Sequence, residues 1–332
     1  MTTTRYGDSG ILPRTNVYAA RTMLKHAMPV VVLDKFGQVK ELPPNKTDTI
    51  KFRRPRTFTA ASTPLVEGVT PTATQFGYDD VQTTLKQYGM VVEITDKISD
   101  LAEDPVLRDA SVQCGENIGR TIEALTYGVV KAGTNVIYAN GTSRTDVNTP
   151  VSLAKLRAAA RSLKSQKAMK ISSILASSPN YATRAVEASW VVVCHTDCES
   201  DIRNLAGFLP TAQYGVRNTL HEHEIGSVEE FRFVASPDLD PFADAGGAAG
   251  SMVTTGGTSA DVYPMLIFGK EAYGTVPLRG QGAVEPSIIP VNQKTKDYPL
   301  GQRGYVGWKT WFAAVILNQL WQIRLEVAST AL

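Results

Sequence analysis

The sequence predicts a mixed helix and strand (α+β) fold for an elongated subunit, and three features carry that prediction. A long amphipathic helix pattern runs from about Asp104 to Lys131, and alternating strand patterns occur on both sides of it. A segment of 28 residues rich in Thr, Pro, Ala and Gly separates the first two strand patterns. The chain closes on an unusually long strand pattern, which suits an elongated element better than a compact enzyme sheet.

Length and composition limit the class of protein. A chain of 332 residues with 43% hydrophobic residues can bury real cores, in two domains or in one body with large excursions. The net charge of +2 gives no global signature of a nucleic-acid or membrane protein. Only three cysteines occur, and the start lacks a basic and apolar signal pattern. Both observations favour folding in a reducing cytoplasm over export.

An arm, two strands and a long connection begin the chain. The segment up to about residue 46 is the predicted arm, with a short helix that Pro29 ends. The stretch DTIKFRR alternates apolar and basic residues as a strand does, and a second strand pattern runs from about Thr83 to Thr95. A connection of this length is unusual in a compact domain unless it is functional. The flanking strands favour an extended flap that packs on another molecule over a disordered segment.

Basic residues cluster between two phenylalanines at the root of this flap: Lys51, Arg53, Arg54 and Arg56. Phosphate charge and base stacking would allow nucleic-acid binding there, and a plain solvated surface is a further interpretation. The position at the flap root favours contact with acidic groups of a neighbouring molecule. We therefore expect these four residues, together with Glu67 within the flap, to make inter-subunit contacts.

The long helix has clear start and stop signals. Asp104 is a good N-cap, Pro105 suits the first helical position, and Gly133 suits the stop. Apolar residues at three- and four-residue steps predict one buried stripe along roughly 40 Å, at about 1.5 Å per residue. The stripe consists of Leu107, Ala110, Cys114, Ile118, Ile122, Leu125 and Val129.

The central region mixes a helix, short strands and a glycine-rich segment. A second helix is predicted from about Ser152 to Ala168, followed by strands such as SWVVVCH and YPMLIFG and a helix near 197–206. Residues 244–260 predict a flexible tip and not a domain linker, because strand pattern resumes at once.

Charge is divided into blocks along this region. Residues 147–186 hold seven basic residues and no acidic one, whereas residues 185–245 hold eleven acidic residues and three basic ones. Complementary blocks would let repeated copies dock side by side. The alternative is two faces of one domain that neutralise each other internally, and charge alone favours neither.

The closing stretch KTWFAAVILNQLWQIRLEVA, residues 309–328, is the most apolar in the chain. Its uninterrupted apolar part, Trp311 to Leu317, is too short for a membrane span, which needs about 20 residues of helix. Apolar and polar residues then alternate with the period of a strand. The stretch therefore predicts one very long strand or a pair of strands, the first buried on both faces.

Cys194, His195 and Cys198 form the strongest candidate for chemistry. They could bind zinc or act as thiol nucleophile and base, so a zinc-dependent or thiol hydrolase is the alternative function. Only the pair His221 and His223 is left to complete a zinc site. Neighbouring strand residues also point to opposite faces, which separates Cys194 from His195. A structural interpretation explains more: Thr196 caps a helix and Glu199 completes a capping box.

Two further stretches resemble binding loops, but each lacks a required residue type at one position. The stretch DLDPFAD resembles a hard-cation loop, but Phe242 stands where an oxygen ligand is expected. The stretch GKEAYGTV has the glycine spacing of a phosphate-binding loop, but Thr275 stands where the lysine must be. We therefore expect no catalytic residue, no cofactor and no metal, and the sequence predicts that the protein is not an enzyme.

The order of these parts resembles the major capsid proteins of tailed phages, with the fold of the Hong Kong phage type that herpesvirus capsids share. More narrowly, the chain is similar to the coliphage N-four-type family. The resemblance rests on TIKFRRPR, STPLVEGVTP, TLKQYGMVVEITD, EDPVLRDA, SPNYATRAVEASWVVVCHTDCESDIRN, FGKEAYGTVPL and PLGQRGYVGWKTWFAAVIL. These stretches span residues 49–317, nearly the whole chain.

The resemblance implies a division of the chain into named parts. These are an N-terminal arm (1–46), an extended E loop with its flanking strands (47–95), a peripheral domain with a spine helix (96–150), an axial domain (151–300), and a return to the peripheral domain (301–332).

The resemblance also implies the function and the partners. The protein is expected to assemble with itself, as pentamers and hexamers, into the icosahedral head shell of a tailed phage. Packaged double-stranded DNA is the expected non-specific partner on the inner face, and decoration, scaffolding and portal proteins are further partners that the resemblance allows. The expected location is the virion capsid, assembled in the host bacterial cytoplasm, with no membrane partner.

Overall fold

The structure is a computed structural model, and it describes residues 31–65, 67–101, 106–175, 183–215, 217–278, 284–291, 293–294 and 299–332. The helix predicted within the arm and the N-terminal signals Asp104 and Pro105 lie outside these residues. Helices and strands are mixed as predicted, so the α+β class is confirmed.

Helices and strands follow one another in the order that the sequence patterns suggest. The α-helices are α1 (Asp96–Leu101), α2 (Val106–Lys131), α3 (Leu153–Ser165) and α4 (Glu199–Arg203). The strands are β1 (Gln38–Val39), β2 (Thr49–Pro55), β3 (Tyr78–Thr84), β4 (Lys86–Thr95), β5 (Val136–Tyr138), β6 (Ile171–Leu175), β7 (Thr183–His195), β8 (Leu209–Pro210), β9 (Glu224–Val228), β10 (Phe231–Ser236), β11 (Tyr263–Phe268), β12 (Tyr273–Pro277), β13 (Val284–Ile289), β14 (Arg303–Ile316) and β15 (Gln322–Val327).

A five-stranded sheet is built around the long strand β14. Strand β14 pairs antiparallel with β4 on one side. On its other side it pairs antiparallel with β13 along Tyr305–Thr310 and with β12 along Phe312–Ile316. The short strand β1 continues the sheet, parallel to β12. One face packs against the first half of α2, where Ile118 and Cys114 meet Val306 and Trp308 in one apolar cluster. The helix and this sheet therefore share a core.

An eight-stranded sheet forms the other half of the fold. Its order is β5-β15-β11-β7-β10-β9-β8, and β6 pairs with β7 beyond that path. The central strands β10 and β11 are buried along their whole length, as expected for strands covered on both faces. One core lies between this sheet and α3, and a second one includes Tyr127 and Val130 near the end of α2. Helix α2 thus contacts both sheets.

The closing stretch is a pair of strands, which confirms one of the two predicted forms. Strand β14 ends at Ile316, a 3-10 turn occupies Gln319–Trp321, and β15 follows. Asn318 Oδ1 accepts a hydrogen bond from the backbone N–H of Leu320 and so caps the turn. The two strands lie in different sheets. Residues 301–332 therefore contribute to both sheets. The first strand was expected to be buried on both faces, and this is wrong at its end, where residues 314–317 are half-buried.

Helix α2 confirms the predicted long helix but not all of its buried stripe. Leu107, Cys114 and Ile118 are buried as predicted, whereas Leu125 and Val129 are half-buried. From the middle of the helix onward the buried face rotates by one residue. Its buried residues there are Glu123, Thr126, Tyr127 and Val130.

The cause of this rotation is a buried carboxylate. Glu123 accepts hydrogen bonds from the backbone N–H groups of Val32 and Leu33, at 3.0–3.1 Å. Burial raises the pKa of Glu123 to about 7, against the lowering effect of those hydrogen bonds. The segment 31–42, which we name the strap, is thereby fixed to the body: Phe36 also packs against Phe268. The end of the predicted arm is thus part of the body.

The glycine-rich segment 244–260 is held by hydrogen bonds instead of forming the predicted flexible tip. Asp261 is buried and accepts from the N–H groups of Asp244 and Thr255, at 2.7 and 3.2 Å. The carboxylate of Asp244 accepts from the N–H of Gly256 at 2.7 Å. The carboxylates of Asp244 and Asp261 thus join distant parts of the segment. The segment forms a packed loop, and Met252 pairs with Thr330 near the end of the chain.

The charge blocks meet inside one molecule. Arg157 donates to Glu229 at 2.6 Å, and Lys164 and Lys170 lie 2.8 and 3.3 Å from Glu230. These contacts join basic residues at or just after α3 to the turn between β9 and β10. For these residues the structure supports internal neutralisation over docking between copies.

Candidate inter-subunit interface

The predicted flap is a projecting hairpin with a two-stranded root. Strands β2 and β3 pair antiparallel, from Thr49 opposite Thr84 to Pro55 opposite Tyr78. Only Leu85 separates β3 from β4, so the returning chain passes directly from the flap into the five-stranded sheet. The strand predicted from about Thr83 to Thr95 corresponds to β4, whereas Thr83 and Thr84 end the separate strand β3, which lies in a different sheet.

The flap root is tied to the body by apolar side chains. Ile50, Phe52 and Leu85 are buried and pack with Val276 and Ala313 of the five-stranded sheet. Alternation explains this contact, because the residues between them on β2 point away from the body. The root therefore has a fixed direction, while the rest of the flap leaves the surface.

The four basic residues at the root have acidic partners on the opposite strand of the same hairpin. Arg53 donates from Nε and Nη2 to the carboxylate of Asp80, at 2.8 and 3.1 Å. Arg56 donates to Asp79 at 2.7 Å. Hydrogen bonding to Arg53 holds the pKa of Asp80 below its usual value. The other two pairs are looser: Lys51 with Asp80 at 3.4 Å and Arg54 with Asp79 at 3.8 Å.

Sequence reasoning missed these acidic partners. The register of the hairpin brings Arg53 opposite Asp80 and Arg54 opposite Asp79. An exposed cross-strand pair of opposite charge is a weak stabiliser, because water and salt screen the attraction. The available signal was the acidic pair Asp79 and Asp80, just before the predicted second strand. Arg53 and Arg56 thus pair with acidic residues of their own hairpin.

Aromatic rings continue the hairpin beyond the paired strands. Phe58 and Phe76 lie across from each other with ring centroids 5.9 Å apart, and Phe76 meets Tyr78 edge-on at 4.7 Å. The guanidinium of Arg53 lies 5.0 Å from the ring centre of Tyr78. Phe58 and Phe76 remain 59% and 50% exposed, so the cluster keeps a large apolar surface toward solvent.

The far end of the flap is exposed to solvent in all of its described residues. Every described residue from Arg53 to Phe76 is exposed. The end itself, which we name the tip (residues 64–70), carries Leu65 at 77% exposure and Val69 at 63%. Glu67 lies between them in a turn with Gly68, whose φ of 77° suits a residue without a Cβ.

A groove lies between the flap root and the body. Its volume is about 370 Å³, and side chains of both the flap and the body line it. The apolar part of the lining consists of Phe52, Pro55, Val81, Leu317 and Trp321. The rest is polar: Lys40, Arg53 and Arg54 face Asp79 and Glu271, and Gln38 and Asn318 are uncharged. The arrangement suits an apolar side chain that arrives with an acidic neighbour.

The candidate site at Cys194, His195 and Cys198 has a structural explanation. Both thiols are buried, and burial raises the pKa of Cys194 to about 12 and that of Cys198 above its usual value. A thiol with a raised pKa is a poor nucleophile and metal ligand. His195 is the N-cap of the following 3-10 turn: Nδ1 accepts from the N–H of Asp197 at 3.1 Å. The capping box predicted for Thr196 and Glu199 is therefore wrong.

The other motifs are also absorbed by the fold. Within the described ranges, no group of three or more His, Cys, Asp and Glu residues is placed to hold a metal ion. The carbonyl of Asp240 accepts from the hydroxyl of Tyr127, and residues 273–276 of the phosphate-loop motif form part of β12. His221 lies buried with Nε2 at 3.0 Å from Lys35 Nζ, and burial lowers the pKa of this imidazole to about 4.

None of the described helices combines the length and the apolarity that crossing a bilayer requires.

Solved structures with a similar fold come from phage capsids. A chain from the capsid of Ralstonia phage GP4 matches with a TM-score of 0.63 and 12% identity, over 100% of this chain and 95% of that one. A chain from the capsid of the cyanophage P-SCSP1u matches at 0.59 and 15%, over 90% and 89%. A chain from the cyanophage Pam1 capsid matches at 0.59 and 14%, over 99% and 97%. At these identities the likeness is one of fold.

Sequence comparison supplies the family. No curated protein matches the chain. The sequence model described as phage capsid protein matches residues 78–319, which is well over half of the chain and includes β3, α2 and β14. The expected capsid fold is thus confirmed, and nothing supports the hydrolase alternative. This chain belongs to the phage capsid protein family.

Proposed function

We propose that copies of this chain assemble, as pentamers and hexamers, into the closed icosahedral head shell of a tailed phage that encloses double-stranded DNA. Membership of the capsid family makes the chain a structural protein of a virion. The finer statement rests on one observation: the flap projects from the body with its apolar side chains exposed. Such a segment gains its packing only when another molecule covers it.

A closed shell explains how weak contacts suffice. A flap that lies across a neighbour buries a modest area, and every copy in the shell repeats the contact. Once part of the ring is formed, each further contact is made at high effective concentration. The candidate residues Lys51, Arg53, Arg54, Arg56 and Glu67 all lie on this flap.

We further propose a layout of the shell subunit. Residues 47–95 form the E loop, α2 is the spine helix of the peripheral domain (96–150), and residues 151–300 include the axial domain. The closing residues 301–332 give one strand to each sheet. In this layout they return to the peripheral domain, and β15 also joins the eight-stranded sheet. Proposed further partners are packaged DNA on the inner face and decoration, scaffolding and portal proteins, with assembly in the host cytoplasm. The narrower N-four-type assignment stays a prediction.

The proposal is tested by shortening the flap. Replacing residues 59–75 by a short Gly-Ser turn keeps β2, β3 and the pair Phe58 and Phe76. We expect a folded, soluble subunit with unchanged circular dichroism that forms no closed shells in negative-stain electron microscopy. The physical reason is that the described residues among those removed are exposed and take no part in the buried cores.

A length-matched variant serves as the control. Serine in place of Thr57, Thr59 and Thr63 changes exposed residues but keeps the reach of the flap, so closed shells are expected. Closed shells of normal size from the shortened variant would contradict the proposed role of the flap.

A further inference from the structure

We propose that the tip of the flap of one copy docks into the groove at the flap root of the next copy. The apolar side chain of Leu65 would enter the groove, and Glu67 would pair with Arg54 and Lys40 at its rim. This inference rests on the proposed function and names the surface that receives the flap. The occupant of the groove is thus a second copy of this chain.

The chemistry of the tip carries the first step. Leu65 and Val69 are among the most exposed large apolar residues of the molecule, at 77% and 63%. Burying such a side chain is worth roughly 1.5–3 kcal/mol in transfer free energy. A solvent-facing turn with two apolar side chains on either side of an acid is suited to a partner surface with an apolar floor and a basic rim.

The groove offers that combination. Its volume of about 370 Å³ has room for a leucine side chain and part of the turn that carries it. Phe52, Val81, Leu317 and Trp321 supply apolar atoms at its floor. The groove therefore combines apolar side chains, which can receive Leu65, with polar and charged groups around them.

Charge selects the orientation. Arg53 is engaged with Asp80 at 2.8 Å, whereas Arg54 lies 3.8 Å from Asp79 and its side chain is 53% exposed. Lys40 lies at the same rim, 5.4 Å from the ring centre of Phe52. An incoming carboxylate would meet these two cations while Leu65 enters the apolar part.

Geometry restricts the contact to different copies. The tip and the groove lie at opposite ends of the same flap, and the 11 steps from Arg56 to Glu67 can extend to about 36 Å. The exposed residues along the flap show that it does not fold back. Each copy therefore has one tip and one free groove. A contact of this head-to-tail type, repeated with a fixed rotation, closes into a ring.

Cysteine cross-linking tests the contact directly. The natural cysteines Cys114, Cys194 and Cys198 are buried, so introduced thiols are the accessible ones. The double variant Leu65→Cys with Gln38→Cys places one thiol on the tip and one in the groove. After mild oxidation of assembled particles we expect a ladder of covalent oligomers on non-reducing gels, formed head to tail. Leu65→Cys with Met169→Cys, which is exposed outside the groove, is the matched control and should give no ladder.

The result separates this inference from the proposed function. Particles that assemble but yield no ladder above the control would overturn the groove assignment and leave the role of the flap intact. If the shortened flap variant also forms closed shells, both proposals fail.

Charge exchange provides a second readout. Glu67→Lys and Arg54→Glu are each expected to lower the yield of closed shells at least tenfold, whereas the double variant restores it to within about threefold. Circular dichroism of the unassembled subunits checks folding. Equal losses in the single and double variants, with folding intact, would contradict the pairing.

Discussion

Glu123 shows how one residue decides the packing of a long helix. Its carboxylate has no exposed surface and accepts two backbone N–H groups of the strap, Val32 and Leu33. Burial in an apolar surrounding disfavours the charged form, and the nearby acids Asp34 and Asp238 add to this effect. The pKa of Glu123 is raised to about 7.

This raised pKa predicts a specific dependence of stability on pH. The folded state binds the proton of Glu123 more tightly than the unfolded state, whose pKa is near 4.5. The resulting stabilisation is present below pH 4.5 and is lost as the pH rises through about 7, by an amount on the order of 3 kcal/mol. Glu123→Gln should remove this part of the pH dependence, because an amide does not titrate and its oxygen still accepts a hydrogen bond.

Denaturant unfolding of the unassembled subunit at pH 5 and pH 8 measures the effect. Wild-type protein is expected to lose more stability between the two pH values than Glu123→Gln does. Glu116→Gln, at a half-buried position of the same helix, is the control and should behave like the wild type. An equal loss in wild type and Glu123→Gln would contradict the assigned role of the buried carboxylate.

At the scale of elements, replacing two glycines by alanine is expected to change stability in opposite directions. One glycine lies where two strands approach closely, and the other lies on an open side of a helix. A Cβ at Gly307 of β14 would lie 2.7 Å from the carbonyl oxygen of Met90 on β4, which is closer than atoms can pack. A Cβ at Gly128 of α2 would meet nothing within 4 Å. We expect Gly307→Ala to cost about 1–3 kcal/mol, since the strands must move apart. Gly128→Ala should stabilise the helix by up to about 1 kcal/mol.

Thermal unfolding of the two variants checks this contrast. The melting temperature should fall for Gly307→Ala and stay equal or rise for Gly128→Ala. A melting temperature for Gly307→Ala at or above that of the wild type would show that β4 and β14 are less closely paired than the structure shows.

The sequence predicted the helices and strands well, because each produces a short repeat of apolar residues along the chain. The alternation around Ile50 and Phe52 predicted β2, and the three- and four-residue steps predicted α2 over its full described length. The break after Leu317 left a pair of strands open as a possibility. Nothing local, however, assigns β14 and β15 to different sheets, because partners from distant parts of the chain decide it.

Details of the sites were harder to predict for the same reason. The bases of the flap root were recognised, but Asp79 and Asp80 become their partners only through the hairpin register. Similarly, His195 caps a turn that the sequence assigned to Thr196. The buried face of α2 rotates because the strap, far away in sequence, brings two backbone donors to Glu123.

At the scale of the whole molecule, the fold separates a self-sufficient body from an incomplete projection. Two sheets bury their own cores, and α2 contacts both of them. The flap leaves this body through β2 and returns through β3, and the described part of its rings and tip keeps large apolar surfaces exposed to solvent. The subunit can therefore fold alone, whereas its outermost segment requires sister copies.

Backbone hydrogen exchange of residues 57–65 and 67–76, compared between isolated subunits and assembled shells, tests this claim most directly. We expect rapid exchange in the subunit, because these residues are exposed, and slow exchange in the shell, where a neighbour covers them. Protection that is already present in the isolated subunit, or rapid exchange that persists in the shell, would contradict it.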